Sequence, residues 1–282
     1  MANLRDLRRR IRSVKNTQKL TKAMKMVSAA KLRRAQERIL AARPYAAKML
    51  EVLNSLAKRV DPSRHPLLAR RGDKRVEVAV ITAEKGLCGG FNSNIIKEAI
   101  LFLQDREGVT LNLIGRKGRD FFRRRTYGIR REHVDIFRQL DFSHAARITE
   151  DLISAYVKGE LDAIYLIYNE FKSVLRQNVV VERLLPVGGL KPMEEDPAED
   201  YIYEPGYRKL FDRLLPKHIE TQIYRALLES SAAEQAARMT AMDGATQNAG
   251  EMIQKLTLVM NRVRQAAITK EIIEVVSGAE VQ

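Results

Sequence analysis

Residues 32–60 read LRRAQERILAARPYAAKMLEVLNSLAKRV, and the fold follows from the spacing of their apolar side chains. These side chains recur in alternating steps of three and four, through Leu32, Ala35, Ile39, Ala42, Ala46, Met49, Leu53, Leu56 and Val60. Such an unbroken heptad pattern predicts a long helix whose apolar stripe packs against another helix. Pro44 predicts a kink within it, and Asp61 and Pro62 predict its end.

The same periodicity appears at both ends of the chain. Towards the N-terminus it continues through Leu4, Leu7, Ile11 and Val14 and, shifted in phase, through Leu20, Met24 and Val27. Near the C-terminus one seam runs through Ile219, Ile223, Ala226, Ser230, Ala233, Ala237, Thr240 and Gly244. A second seam, one residue out of phase, runs through Ala245, Ala249, Met252, Leu256, Val259, Val263 and Ala266. Two long helices are therefore predicted, over 1–60 and 207–279.

Two striped helices at opposite ends of one chain can bury their stripes against each other. If the intervening domain lies at one end of the pair, the helices must run antiparallel, which predicts a long antiparallel coiled coil. At 1.5 Å per residue, the N-terminal helix alone would measure roughly 90 Å. That is longer than its own domain requires, so we expect other subunits to surround it.

Between the helices, over 75–187, the period changes. Short apolar, β-branched runs predict strands at 76–83, 109–115, 161–171 and 178–187, with helices near 92–105, 118–127 and 143–158. Strands that alternate with helices predict a mostly parallel sheet, and thus a central Rossmann-like α/β domain. An acidic linker is expected over 188–206, with Glu194, Glu195 and Asp196.

Composition narrows the class of protein. The chain has 282 residues, 45% of them hydrophobic, which is enough for a sizeable core. A single cysteine excludes an internal disulfide framework and a cysteine-rich zinc site. No apolar run approaches the roughly 18 residues that a membrane-spanning helix needs. The helical pattern continues beyond residue 25 and Asp6 interrupts the basic run, so we expect no targeting peptide.

The net charge of +15 first indicates nucleic acid or an anionic membrane surface as a partner. Its distribution changes that interpretation. Residues 1–75 contain 22 Lys and Arg against 5 Asp and Glu, a net charge of +17, whereas residues 76–282 contain 28 and 30, a net charge of −2. The excess therefore belongs to the N-terminal quarter of the chain.

No pattern predicts a catalytic centre. The turn 84–92, EKGLCGGFN, is rich in glycine but fits neither the dinucleotide nor the P-loop spacing, so we interpret it as a tight turn with Asn92 or Ser93 capping the next helix. Cys88 beside it is expected to be a packing residue. His65, His133, His144 and His218 share no metal-ligand spacing, and surface positions are expected for them. We predict no cofactor and no metal.

The basic stretch 15–38 leaves two interpretations open. It fits a solvated helix face or a nucleic-acid-binding coiled coil. A basic zipper would require a leucine heptad for self-pairing directly after it, whereas here a partner stripe lies in the same chain. A small α/β enzyme is a further alternative, and nucleotide or phosphate should then stabilise residues 75–187.

Three motifs together resemble the gamma subunit of F-type ATP synthases. The run 15–36, KNTQKLTKAMKMVSAAKLRRAQ, is similar to the N-terminal signature of that family, and GLCGGFN at 86–92 is similar to its central domain. The stretch 261–279, NRVRQAAITKEIIEVVSGA, is similar to its C-terminal signature. The resemblance covers essentially the whole chain in the right order.

The resemblance implies a non-catalytic rotor shaft, present as one copy per complex. Its coiled coil would thread a ring of three alpha and three beta subunits, and its α/β domain would dock on the epsilon subunit and the membrane c-ring. Proton flow would turn the shaft and drive ATP synthesis on the ring, or ATP hydrolysis would turn it in reverse. The chain would lie peripherally on the cytoplasmic face of a bacterial cell membrane, would not span it, and would bind no nucleic acid.

The resemblance also implies particular contacts. Arg264, Gln265 and Thr269 match the polar cluster that hydrogen-bonds a catch loop of one beta subunit, and Met24 matches a contact position on the other helix. A basic face formed by Lys15, Lys19, Lys22 and Lys25 is expected to meet acidic parts of the ring. The simpler interpretation of each is a flank residue satisfied within the coiled coil.

Overall fold

A computed structural model describes residues 4–59, 65–104, 106–174, 176–188, 204 and 206–279. The helices are α1 (Leu4–Arg59), α2 (Phe91–Gln104), α3 (Arg116–Phe122), α4 (Phe142–Val157) and α5 (Tyr207–Ala279). The strands are β1 (Val76–Ile81), β2 (Thr110–Ile114), β3 (Gly128–His133), β4 (Ala163–Phe171) and β5 (Gln177–Leu185). Residues 189–203 of the predicted linker, with Glu194, Glu195 and Asp196, lie outside the described residues, as do Val60, Asp61 and Pro62.

The chain forms two compact units. The helical unit combines residues 1–29 with 238–282, and the central unit contains residues 30–237. Both long helices contribute to both units, because α1 crosses the boundary between residues 29 and 30 and α5 crosses the boundary between residues 237 and 238. Neither Pro44 nor Pro216 ends its helix. The expected limits at 1–60, 75–187, 188–206 and 207–279 remain a prediction.

The central unit contains the predicted Rossmann-like sheet. Its five strands have the order β3-β2-β1-β4-β5. The first three contacts, β3 with β2, β2 with β1 and β1 with β4, are parallel, and β5 is an antiparallel edge strand beside β4. A mostly parallel sheet between two long helices confirms the predicted fold class.

The core of the central unit fills one face of this sheet. Val76, Val78 and Val80 of β1 pack with Phe91 and Ile95 of α2, and all five are almost fully buried. Because successive side chains of a strand point to opposite faces, Glu77 points to the other one. There Arg130 of β3 reaches both Glu77 and Asp151 of α4, so helices cover the sheet on both sides.

The sequence pattern does not predict strand β3, and it predicts an end for the preceding helix that is several residues too late. Helix α3 ends at Phe122 rather than near 127, and β3 follows with the sequence GIRREH. Its residues are half-buried or exposed because β3 is an edge strand, so no apolar run reveals it. A β-bulge between Leu111 and Asn112 adds Arg130 as an extra residue and lets this strand carry buried charge.

The heptad seam over 32–56 is confirmed. Leu53 and Leu56 are fully buried, Leu32, Ala35, Ile39 and Met49 are buried, and Ala42 and Ala46 are half-buried. The α5 seam of this unit is also buried from Ile219 through Ala233. The ends of the two helices meet where Arg59 Nη1 donates to the Tyr207 hydroxyl at 3.1 Å.

Candidate partner-binding surface of the helical unit

In the helical unit the two helices run antiparallel, as contacts between their side chains show. Gln18 Nε2 donates to the carbonyl oxygen of Thr246 at 3.5 Å, and Lys25 Nζ donates to Asp243 Oδ1 at 2.6 Å. A higher residue number on α1 therefore lies opposite a lower residue number on α5. Between these two contacts, the Thr21 and Thr246 hydroxyl oxygens lie 2.7 Å apart.

The predicted seam of Leu20, Met24 and Val27 is wrong in phase. The buried residues of this stretch are Thr21 and Ser28, at 8% and 2% exposure. Leu20 and Val27 are instead 62% and 56% exposed, and Met24 is half-buried. Small polar side chains let the helices approach closely and hydrogen-bond, so the larger apolar side chains are left outside.

The distal seam of α5 is only partly correct. Ala245, Ala249, Leu256 and Val263 are buried or half-buried as predicted, but Met252 and Val259 are 52% and 44% exposed and Ala266 is exposed. Thr240 of the preceding seam is exposed as well. The intervening seam positions are one residue further along, at Ile253, Met260 and Ala267, which are half-buried. Steps of three and four from Met242 through Thr246 place every one of these residues on one stripe.

Large apolar side chains remain in water over much of this unit. At least 44% of the surface of each is exposed, and the set is Leu20, Met26, Val27, Met252, Leu258, Val259, Ile268, Ile272, Ile273 and Val276. Single exposed apolar residues are ordinary, but a concentration of them marks an interaction surface. The faces that point away from the partner helix are therefore suited to contact another protein.

The predicted basic face divides into two kinds of lysine. Lys15, Lys19 and Lys22 are exposed, share one face at helical spacing, and have no ion pair within the described part of the chain. Lys25 is half-exposed and already bound to Asp243. The first three are available to a partner, whereas Lys25 contributes to the helix pair itself.

The predicted catch-loop residues form a cluster on α5, but Met24 is not part of it. Arg264, Gln265 and Thr269 are exposed, and the Thr269 hydroxyl donates to the carbonyl oxygen of Gln265 at 2.9 Å. Met24 lies beside Lys25 and therefore at the level of Asp243, some 21 residues or about 30 Å along the helix from Arg264. Any contacts made by these residues must involve two separate levels of a partner.

The glycine-rich turn in the central unit has a structural role. Helix α2 begins at Phe91, and Asn92 lies inside it rather than capping it. Asn92 Oδ1 accepts a hydrogen bond from the Ala83 amide at 2.9 Å, which fastens the turn to the end of β1. Cys88 is 2% exposed and accepts from Asn92 Nδ2, as expected of a packing residue. Leu87, in contrast, is 65% exposed with φ +62°.

Sequence reasoning missed the polar contact between α5 and the sheet edge. Arg225 of α5 donates to Glu182 Oε2 of β5 at 2.8 Å, and Glu182 also accepts from the Tyr168 hydroxyl of β4 at 2.9 Å. Burial, reinforced by the Glu182 charge, raises the pKa of Tyr168, so its hydroxyl remains a donor. These three residues hold the long helix to the central domain, and no motif marks them.

The histidines lie apart, and none of the four is exposed, which contradicts the surface positions expected for them. His65, His133 and His144 are half-buried. His218 of α5 is 8% exposed and lies 3.0 Å from Gln222. Within the described residues, no group of three His, Cys, Asp or Glu side chains is arranged to hold a metal ion. The described helices also include none that is long and apolar enough to cross a bilayer.

Comparison with known proteins agrees with this geometry. The family model described as ATP synthase matches residues 3–281. ATP synthase gamma chains from Geobacter sp. (strain M21) and Chlorobaculum parvum are 51% and 49% identical, and each alignment covers 99% of both chains.

Solved structures agree as well. A chain of the central stalk/c-ring of the Tetrahymena thermophila mitochondrial ATP synthase is 29% identical, with a TM-score of 0.62 over 80% of this chain and 99% of that one. A chain of the Euglena gracilis enzyme has the same fold, with a TM-score of 0.70 over 99% and 94% of the two chains at 21% identity.

The family match, the full-length relatives and the solved central-stalk chain together identify the class of protein as a central-stalk subunit of a rotary ATP synthase. The chain belongs to the family of ATP synthase gamma chains.

Proposed function

We propose that this chain is the rotor shaft that couples proton-driven rotation of a membrane c-ring to ATP synthesis on a surrounding ring of alpha and beta subunits. ATP hydrolysis on the ring turns it in reverse. One copy serves three alpha–beta pairs, and the shaft itself performs no catalysis. The observation that carries the proposal is the concentration of exposed apolar side chains on a helix pair that has already satisfied its own seam.

A single shaft can act on three equivalent sites only if its faces differ. A ligand that binds all states of a site equally shifts no equilibrium. In the helical unit one face carries Lys15, Lys19 and Lys22, whereas other surfaces expose Leu20, Val27 or Ile268. Such a shaft presents a different surface to each neighbouring subunit, and rotation exchanges those surfaces among the three sites.

Two levels of contact with the ring follow from the positions of the residues. Arg264, Gln265 and Thr269 form one level, where the arginine offers a fork of donors to a carboxylate or carbonyl group of a beta subunit. Met24 and the exposed lysines form the other level, where a flexible thioether slides past changing neighbours and the cations meet acidic side chains.

The central α/β domain docks on the epsilon subunit and the c-ring. Two exposed apolar side chains support this part of the proposal, namely Leu87 in the strained turn and Leu101 on the outer side of α2, at 65% and 47% exposure. Non-glycine residues at positive φ are uncommon, and strained backbone positions cluster at functional sites, so an exposed Leu87 at this φ fits a contact site. The chain would thus lie peripherally at the cytoplasmic face of a bacterial membrane.

Co-purification tests the proposal directly. A tagged copy of the chain, expressed with alpha and beta subunits, should be recovered as one copy per three alpha–beta pairs, with ATP hydrolysis that drives rotation of the tagged chain. Recovery without alpha and beta subunits, together with duplex DNA binding that weakens steeply with salt, would instead support the nucleic-acid-binding alternative. A matched variant with Ile268, Ile272 and Ile273 changed to serine should fold but assemble less well.

A further inference from the structure

The helix pair contains a layer in which polar contacts replace apolar packing. We call Gln18, Thr21 and Lys25 of α1 with Asp243 and Thr246 of α5 the polar layer. On α1, Thr21 and Ser28 are the only buried residues between Val14 and Leu32 within the described chain. Small polar side chains bury little apolar surface, so hydrophobic packing alone does not determine the register of the two helices here.

The polar layer is specific for one register. If α5 slid by one heptad in either direction, the Thr21 hydroxyl would face Met239 or Ile253 instead of Thr246, and its inter-helix hydrogen bond would be lost. Each such slide displaces the helices by about 10 Å. In coiled coils a polar residue at a single seam position fixes register for the same reason.

The ion pair strengthens this specificity. Lys25 Nζ lies 2.6 Å from Asp243 Oδ1. The next acidic residues along α5 are Glu234 and Glu251, nine and eight residues away from Asp243, and neither spacing is a heptad. A slide by one heptad would therefore leave Lys25 without a carboxylate opposite it.

We propose that the Thr21–Thr246 and Lys25–Asp243 contacts fix the register of the antiparallel helices, and that Lys25 is a positioning residue rather than a contact for the surrounding ring. This inference rests on the proposed function. The register sets the offset between the exposed lysines of α1 and the cluster of Arg264, Gln265 and Thr269 on α5. With the wrong offset, the two levels of contact cannot reach their sites on the ring at the same rotational angle.

Charge reversal in the assembled complex tests the inference. The variants are Lys25→Asp, Asp243→Lys and the double charge swap. Each is also made with Gln18→Cys and Gly250→Cys, a neighbouring pair across the two helices, so that a short thiol-specific cross-linker reports the register while the Thr21–Thr246 contact stays intact. We expect each single reversal to reduce cross-link yield and the ratio of ATP-driven proton uptake to ATP hydrolysis several-fold. The charge swap should restore both to near the wild-type values.

The controls separate this inference from the proposed function. Lys22→Asp, at an exposed lysine one turn away, should leave the cross-link unchanged, because it has no ion pair among the described residues. A charge swap as defective as either single reversal would show that the ring reads Lys25 directly, and unchanged cross-linking in the single reversals would also overturn the inference. If the proposed function is wrong, the wild-type chain will not assemble with alpha and beta subunits at all.

Discussion

The buried ion pair of the central sheet allows a quantitative prediction. Glu77 is fully buried, and its carboxylate accepts two hydrogen bonds from the Arg130 guanidinium, that from Nη2 at 3.0 Å. Arg130 Nη2 also donates to Asp151 at 2.6 Å. Burial raises the pKa of Glu77 and the bonds from Arg130 oppose that rise, so the pair depends on the arginine. The variant Arg130→Met removes the guanidinium group while preserving most of the apolar part of the side chain.

The expected loss of folding free energy is large because the buried Glu77 carboxylate is left without its partner. Removing one partner of a buried ion pair typically costs about 3–5 kcal/mol, since the other is left uncompensated. Arg131 provides the matched control, because it also contacts Asp151, at 3.2 Å, but is 58% exposed. Arg131→Met should therefore cost less than about 1 kcal/mol. Changing both Glu77 and Arg130 to Met should recover most of the loss.

Hydrogen exchange of β1 amides is the suitable measurement, because the chain has no tryptophan to report unfolding by fluorescence. When exchange requires opening of the core, each 1.4 kcal/mol changes the rate about tenfold, so Arg130→Met should speed exchange of Val76–Ile81 by more than about 100-fold. Equal effects of Arg130→Met and Arg131→Met would refute the reasoning. The reasoning would also be refuted if the double variant lost as much folding free energy as Glu77→Met and Arg130→Met lose together.

Two further predictions concern the central unit. Burial first, and then the Arg225 charge, lowers the pKa of His218 below 6.5, so the folded state binds fewer protons than the unfolded state. The stability that this residue contributes is therefore fully present above pH 6.5 and should fall on acidification. The fall should be at most about 1.4 kcal/mol per pH unit. The difference between wild type and His218→Gln in urea midpoint, followed from pH 7.5 to 5.5, measures it, and parallel curves would contradict it. Gly115→Ala should abolish soluble expression because its Cβ would lie 2.0 Å from the Thr82 carbonyl oxygen, whereas Gly72→Ala, at the same φ of +95° in open space, should lose only about 1–2 kcal/mol. Similar soluble yields of the two glycine variants would argue against the steric explanation.

The helices and most of the sheet could be predicted because their signals persist over many residues. Over 32–56 each apolar position of the seam is also a buried or half-buried one, and the four apolar strand runs all form strands. Strand β3 could not be predicted, since its place in the sheet depends on a bulge and on the pairing of Arg130 with Glu77 in another strand. Neither is visible within GIRREH itself.

The candidate surface was predictable in composition but not in phase. Leu20 and Val27 are apolar at helical spacing, so the sequence pattern predicts that they lie in the seam between the helices. In the structure the buried residues are Thr21 and Ser28 instead. Periodicity cannot distinguish a helix face that meets its partner helix from one that meets another protein, because both are apolar. Lys25 shows the same ambiguity for charge, since its partner Asp243 is more than two hundred residues away in sequence.

The exposed apolar side chains of α5 also bear on the life of a newly made copy. Ile268, Ile272, Ile273 and Val276 lie within three turns of one helix end, each about half exposed. A copy synthesised in excess of its partners would keep this cluster in water, where chaperones and proteases recognise unfolded-like surface and where copies adhere to one another. Surplus chains would therefore be removed by the quality-control machinery of the cell, and the supply of partners would set how many copies survive.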